Sequence, residues 1–364
     1  MVRHGEREKI MNILGGYSGK QFTINILNGV ALGIVTSLLP GAILSIPLKL
    51  LAPYWSGATV IMQAAQLCNS LMGVLVGCFI GFLFKFSPIQ MGSVALATAF
   101  ACGVGKFVPA SKGWVLVGTG DVITMAVTAA LAVIYILAIS DKVKSFAVLV
   151  LPSTTLLIIG TLGYELYPYI TQITKFIGQI VQYCIQLQPI LMCITISMIF
   201  AIMIMSPITT VGIALAISLS GIGSGAANLG ICAAGIGFCI AGWKVNSVGF
   251  CLAHWIGSPK ISMPAMLSNP LTMLPILCTA IVLGILAAVF NIQGTPFSAG
   301  FGLSGFIGPI AAIDSLDGGW NLANTLLVVT IFGLVPIISS LFFNYIFVNV
   351  LKIVKPEDYK MVIE

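Results

Sequence analysis

The stretch Leu191-Met-Cys-Ile-Thr-Ile-Ser-Met-Ile-Phe-Ala-Ile-Met-Ile-Met205 decides the class of fold. It carries no charge, only Thr195 and Ser197 interrupt the apolar run, and apolar residues fall on every side whether it is wound as a helix or drawn out as a strand. A helix that is hydrophobic all round belongs in a bilayer or a very large core. A transmembrane β-barrel would instead alternate apolar and polar residues over segments of about 10 residues, and this stretch does not alternate.

The rest of the chain has the same character. Of 364 residues 59% are hydrophobic and 7% charged, against roughly 25% charged in a soluble domain. A soluble globular fold is excluded. At roughly 20 apolar residues per span, the apolar content allows about ten transmembrane helices. The expected fold is an all-α polytopic membrane protein. An excess of 39 Gly and 17 Pro suits broken helices and re-entrant loops.

The few charges are unevenly placed. Six lie within residues 1–20 and six within 352–364, and both arginines, Arg3 and Arg7, are in the N-terminal tail. The body therefore has no guanidinium to clamp a phosphate or carboxylate bidentately, and nothing suggests nucleic-acid binding. Nine scattered cysteines include no CxxC pair, so they read as packing residues, with no metal or cofactor expected. No cleavable signal is apparent, and the chain is expected to insert through its own helices. Arg3, Arg7, Lys9 and Lys20 precede the first span and Lys352, Lys355 and Lys360 follow the last. The positive-inside rule then predicts cytoplasmic termini and an even number of crossings.

Spans are expected at about 24–48 (kinked at Pro40-Gly41), 58–84, 88–108, 121–140 and 145–164, closing an N-terminal five-span domain over 21–169 behind a tail at 1–20. Gln63, Gln66 and Asn69 share a face of the second span and suit interhelical hydrogen bonds, and Lys106 with Asp121 could form an ion pair. Between 170 and 188, Ile173, Phe176, Ile177, Ile180, Val181, Cys184 and Ile185 recur at helical spacing opposite Thr174, Lys175, Gln179, Gln182 and Gln186. That pattern predicts an amphipathic helix lying in the interface.

A C-terminal domain over 189–351, followed by a tail at 352–364, holds further spans near 189–206, 227–242, 270–290 and 323–350. Two stretches are too rich in glycine for simple spans and too apolar for aqueous loops: Ser218-Leu-Ser-Gly-Ile-Gly-Ser-Gly225 and Gly294-Thr-Pro-Phe-Ser-Ala-Gly-Phe-Gly-Leu-Ser-Gly-Phe-Ile-Gly-Pro309. Non-helical backbone at membrane depth survives only where protein or a cavity satisfies it. These stretches predict re-entrant hairpins near 207–225 and 295–311, or, in the plainer reading, glycines that only let helices approach. Transporters place substrate sites at such breaks. Buried polar groups are costly in hydrocarbon unless paired, so Asn228, Asn246, Ser258, Lys260, Asn269, Thr295, Ser298 and Ser304 are the candidate lining of a substrate cavity.

The five-plus-five layout with an interfacial helix and two hairpins resembles the membrane IIC component of the sugar phosphotransferase system, in its glucose/lactose-type architecture. Asn246-Ser-Val-Gly249, Trp255-Ile-Gly-Ser-Pro-Lys260, Ser268-Asn-Pro270 and Gly300-Phe-Gly-Leu-Ser-Gly-Phe-Ile-Gly308 resemble a divergent, stand-alone branch that includes perfringolysin-regulator-type proteins. The resemblance implies a bacterial plasma-membrane protein, a homodimer formed through the N-terminal half, and a sugar site where a buried His and a Glu activate the accepting hydroxyl. His254, the only histidine in the body, matches the His and is the candidate catalytic residue. No glutamate lies between Glu165 and Glu357, so the hairpin Glu is missing. Asp314 and Asp317, just beyond the hairpin, could replace it only if the loop folds back, and otherwise cap the following segment in water; Lys260 could pair with an anionic substrate or with Asp314, or be a snorkelling or loop lysine.

A neutral hairpin can hydrogen-bond a polyol but cannot serve as a general base. Transport of a small polar, sugar-like solute is therefore the leading expectation. A sugar transferase with separate IIA and IIB phosphocarrier subunits and a non-transporting membrane sensor or regulator are the alternatives.

Overall fold

The computed structural model describes residues 14–109, 112–296 and 298–360. The tail arginines and Lys9 lie outside them, as does the side chain of Gln66. The described chain is helical apart from one short β-hairpin, and it separates into two compact units.

The first unit comprises residues up to Pro40 together with Val60–Gln172. It draws on α1 (Gly19–Leu51), α2 (Gly57–Ser70), α3 (Met72–Leu83), α4 (Pro88–Ala101), α5 (Val122–Val143), α6 (Ala147–Thr154) and α7 (Thr161–Ile185). Helix starts follow local chemistry. Ser87 and Gln90 form a reciprocal capping box before α4, with Pro88 at its first position. This arrangement satisfies backbone N–H groups that a helix start leaves over. Asp121 caps α5, accepting from both the amide and the hydroxyl of Thr124 at 2.7 Å. Its role is thus the helix cap, in place of the expected pairing with Lys106. Small residues set the helix spacing: Gly29 and Gly33 of α1 lie against Ile80 and Val76 of α3, and Gly77 of α3 lies against the backbone of Ala95 on α4. This is the close backbone approach that membrane helices use.

The third span was expected to reach residue 108 but stops at Ala101. Gly103, at φ +77°, reverses the chain, and β1 (Gly105–Val108) pairs antiparallel with β2 (Gly113–Leu116), bringing Phe107 opposite Trp114. The rings of Phe107 and Phe100 both meet Trp114 edge-on, at 5.9 and 6.4 Å. A helix-terminating glycine followed by aromatic and β-branched residues explains the change of structure. α7 also differs from expectation by running through residues 169 and 170 without a break, with Pro168 inside it.

The second unit comprises Gly41–Thr59 and the chain from Ile173 onward. Its helices are α8 (Pro189–Ile204), α9 (Thr210–Ala216), α10 (Gly221–Ala241), α11 (Val248–Leu252), α12 (Met263–Ser268), α13 (Leu274–Val289), α14 (Ile307–Ser315), α15 (Leu322–Val329) and α16 (Val335–Tyr345). α10 is the axis: almost every residue in it is buried, and α8, α13 and α16 pack around it. Gly230 lies against the backbone of Ser197 on α8, while Gly284 of α13 lies against Ile194 of the same helix. The Ser197 hydroxyl donates to the Ala280 carbonyl at 2.8 Å, tying α8 to α13. The final turns of α7 contribute Ile177, Val181 and Cys184 to this core, while Ile173, Phe176, Ile180 and Tyr183 remain exposed.

Among the described residues, five helices are long and apolar enough to cross a membrane, or six if α2 and α3, bent by 51°, count as one span. Three shorter apolar helices accompany them. The all-α membrane architecture holds at this level.

A side chain at Gly230 would force α8 and α10 apart. Gly230→Val is expected to cost about 1–3 kcal/mol, read as a lower thermal unfolding midpoint in detergent. Gly249→Ala, where nothing lies within 4 Å, is expected to leave the midpoint nearly unchanged.

Candidate functional site

The site begins where α8 ends. Pro207 has no amide hydrogen, and the chain is unwound from Met205 to Thr209 before α9 starts. The Ser206 hydroxyl turns back to the Met203 carbonyl at 2.7 Å, and Thr209 caps α9 by accepting from the Gly212 amide. The carbonyls of Ser206 and Ile208 fall between the two helices. Lys260 Nζ donates to both, each at 2.7 Å.

The two glycine-rich stretches meet. Gly221 and Gly294 exchange a pair of backbone hydrogen bonds at 3.0 Å. The Ser224 hydroxyl donates to the Thr295 carbonyl at 2.8 Å, and Thr210 donates to the Gly300 carbonyl at 2.9 Å. Gly225 lies against the Ile292 carbonyl and Gly300 against the Val211 backbone. A β-carbon at either place would collide with main chain, which is the physical reason for glycine there.

The 294–309 segment is held by side chains. Thr295 and Ser298 bond reciprocally, each hydroxyl accepting from the other's amide, at 2.9 and 3.1 Å. Asn228, fully buried in α10, accepts from the Gly302 amide at 3.0 Å through Oδ1 and donates to Ser298 Oγ at 3.4 Å through Nδ2. Gly302 stands at φ +59° and returns its carbonyl to the Gly308 amide. The Ser304 hydroxyl donates to the Gly257 carbonyl, linking this segment to the one that carries His254.

His254 lies on a π-helical turn, Ala253–Gly257, closed by a bond from the Ser258 amide to the Ala253 carbonyl at 3.0 Å. Such wide turns recur at functional sites. The ring is 2% exposed, stacks on Phe238 at 6.2 Å and meets Phe250 edge-on at 5.0 Å. Nδ1 is 2.9 Å from the Phe250 carbonyl and Nε2 meets the Ser262 hydroxyl. A carbonyl can only accept, so Nδ1 carries the proton, and when the ring is neutral Nε2 is the acceptor for the Ser262 hydroxyl.

Seven of the residues expected from sequence lie in these segments, in separate hydrogen-bonded groups: Asn228 with Thr295 and Ser298, Ser304 on the Gly257 carbonyl, His254 with Ser262, and Ser258 with Lys260. Three lie elsewhere. Asn246 donates to the Tyr359 carbonyl at 2.9 Å. Asn269 accepts from the Leu271 amide and starts a short turn. Asp314 accepts from Trp320 Nε1 at 2.6 Å on the surface, so it neither replaces the missing Glu in this arrangement nor pairs with Lys260.

Sequence reasoning passed over Ser262, Thr210 and Tyr359. Ser262 had a usable signal, lying two residues beyond Lys260 in a stretch already singled out. Tyr359 had none, because its partners are distant in sequence: its ring packs on Phe238 at 5.6 Å and its hydroxyl donates to the Thr272 carbonyl at 3.1 Å. Burial pushes the ionisation of this phenol up, with the Asp358 charge adding to the effect. Among the described residues, no group of three or more His, Cys, Asp or Glu could hold a metal ion.

An apolar helical chain whose helices break around an enclosed polar region defines a polytopic membrane protein of the permease class. The sequence model of the family described as phosphotransferase system, EIIC, matches residues 24–361, and the chain belongs to that family. It is accordingly a membrane permease component of a sugar phosphotransferase system. No curated protein and no solved structure matches the chain.

Asn228→Ala would leave the buried Gly302 amide unpaired, an expected cost of about 1–3 kcal/mol. Thermal unfolding together with protease cleavage within 294–309 checks it: the midpoint should fall and that segment should become the first site cut.

Proposed function

We propose that the second unit binds and moves a small, polyhydroxylated, sugar-like solute. The observation that carries this reading is the mutual satisfaction of the polar groups. Asn228, Ser298, Thr295, Ser304, His254 and Ser262 spend their hydrogen bonds on one another or on nearby backbone. A ligand can enter only by replacing those bonds with its own donors and acceptors, and unpaired groups left behind would cost several kcal/mol. A hydroxyl both donates and accepts, so a polyol can make the exchange where an apolar or singly charged ligand cannot.

In this reading the 207–220 stretch, cut short of the expected residue 225 because α10 begins at Gly221, and the 295–311 segment act as re-entrant hairpins, with the shorter apolar helices completing about ten spans and both termini cytoplasmic. His254 is the group that meets the solute. A solute hydroxyl takes the place of Ser262 at Nε2, and the 294–309 segment moves away through the Ser304–Gly257 contact to admit it. Separate IIA and IIB subunits are the partners that family membership suggests, and a homodimer through the first unit is the proposed assembly. With no glutamate in the second unit before Glu357, the chain itself supplies no carboxylate base on the hairpin. Transport is thus the primary activity, and phosphoryl transfer to the solute is the second reading.

Uptake of radiolabelled sugars into proteoliposomes, with and without phosphocarrier proteins, tests both. Flux of unmodified solute supports transport. Phosphorylated product formed only with the carriers moves the assignment to the transferase, and binding without flux moves it to a sensor. His254→Gln and Ser304→Ala are each expected to weaken binding of the transported sugar by roughly tenfold, the worth of about one hydrogen bond. If neither changes it, the site is elsewhere.

A further inference from the structure

The break between α8 and α9 has the makings of a cation site. α8 points its C-terminal end, the negative end of its dipole, at the break. Two main-chain carbonyls there, those of Ser206 and Ile208, accept no hydrogen bond from the helices that flank them and converge on a single nitrogen, Lys260 Nζ, at 2.7 Å each. Carbonyls freed by a broken helix, beside a helix C-terminus, are the arrangement with which transporters bind alkali cations. Here a side chain has entered it. Lys260 is 5% exposed, and the Ser258 hydroxyl accepts from its own amide, so the stem is anchored where it leaves the main chain.

We propose that the α8–α9 break is a monovalent-cation site whose occupant is the tethered amine of Lys260. The site is built by the backbone, and the lysine takes the place of a sodium, potassium or ammonium ion. Three features distinguish this role from ordinary snorkelling. The head group is buried, its partners are main-chain carbonyls with no carboxylate among them, and both carbonyls lie within the five residues where the helix is unwound. An exposed lysine would place its head in water, and a structural ion pair would use an acidic side chain. The inference stands on this geometry and does not depend on the identity of the solute.

The site predicts a gain of response to ions when the tether is cut. Wild type, Lys260→Ala and Lys260→Met are purified in parallel in choline, sodium, potassium and ammonium chloride at equal ionic strength, and thermal unfolding is followed in each. Choline is too large to enter the site. Wild type is expected to unfold at the same temperature in all four salts. Lys260→Ala should unfold earlier in choline and regain on the order of 3 °C, saturably, in at least one of the three small cations. Lys260→Met should regain nothing, because its side chain still fills the slot. If Lys260→Ala is recovered as folded protein only from a small-cation buffer, that also supports the site. Equal instability of Lys260→Ala in every salt, or its failure to fold in all of them, overturns the proposal. Stabilisation of the wild type by sodium or potassium over choline overturns it as well, since an already filled site cannot respond.

Discussion

The hydrogen bond from the Gly302 amide to Asn228 shows the constraint on which the second unit is organised. In a chain this apolar, breaking a helix frees backbone groups that no water is near enough to satisfy, and every break must bring its own partners. Each irregular segment does so. The 294–309 stretch is met by Asn228, Ser224 and Thr210, the α8–α9 break by Lys260, and the turn carrying His254 by Ser304. The polar region is therefore first a solution to broken helices. The proposed use as a binding site rests on the same groups being exchangeable for those of a ligand.

The glycines work in parallel with these side chains. Gly225 of α10 lies directly against the Ile292 backbone and Gly300 against the Val211 backbone of α9, and at Gly221 and Gly294 the two stretches of chain pair as an isolated bridge. Such contact puts main-chain donors and acceptors within reach of one another without any side chain between. α10 serves as the fixed reference. It is buried along almost its whole length and carries Ser224 and Asn228 toward the 294–309 stretch, with Phe238 toward His254. Motion of the outer segments against that axis is what alternating access would require.

Much of this was legible in the sequence because it depends on composition and local pattern. Runs such as Leu191–Met205 announced helices apolar on every side, suited to a bilayer, and the two glycine-rich stretches announced backbone that needed outside partners. Asn228, Ser298 and Ser304 could be picked out as polar residues too costly to bury unpaired. Other features were not legible, for definite reasons. The Phe107–Trp114 hairpin replaces the end of an apolar run that is long enough for a span, and short apolar stretches do not separate strand from helix. The partners of Lys260 are carbonyls, which every residue has, so no sequence pattern marks them. Asp314 is taken by Trp320 only six residues away, a local bond that outcompetes the longer reach expected of it.

The docking of Tyr359 has a consequence for biosynthesis. His254 stacks on Phe238, and a second aromatic contact on that ring is Tyr359, which is itself bonded to Asn246 and Thr272. Those partners lie about ninety to one hundred and twenty residues earlier in the chain, so they leave the ribosome well before it. Until Tyr359 emerges, Phe238 lacks that ring contact and the Asn246 side chain lacks one of its acceptors. The setting of the ring on which His254 stacks is thus completed only after every helix from α10 to α16 has been synthesised.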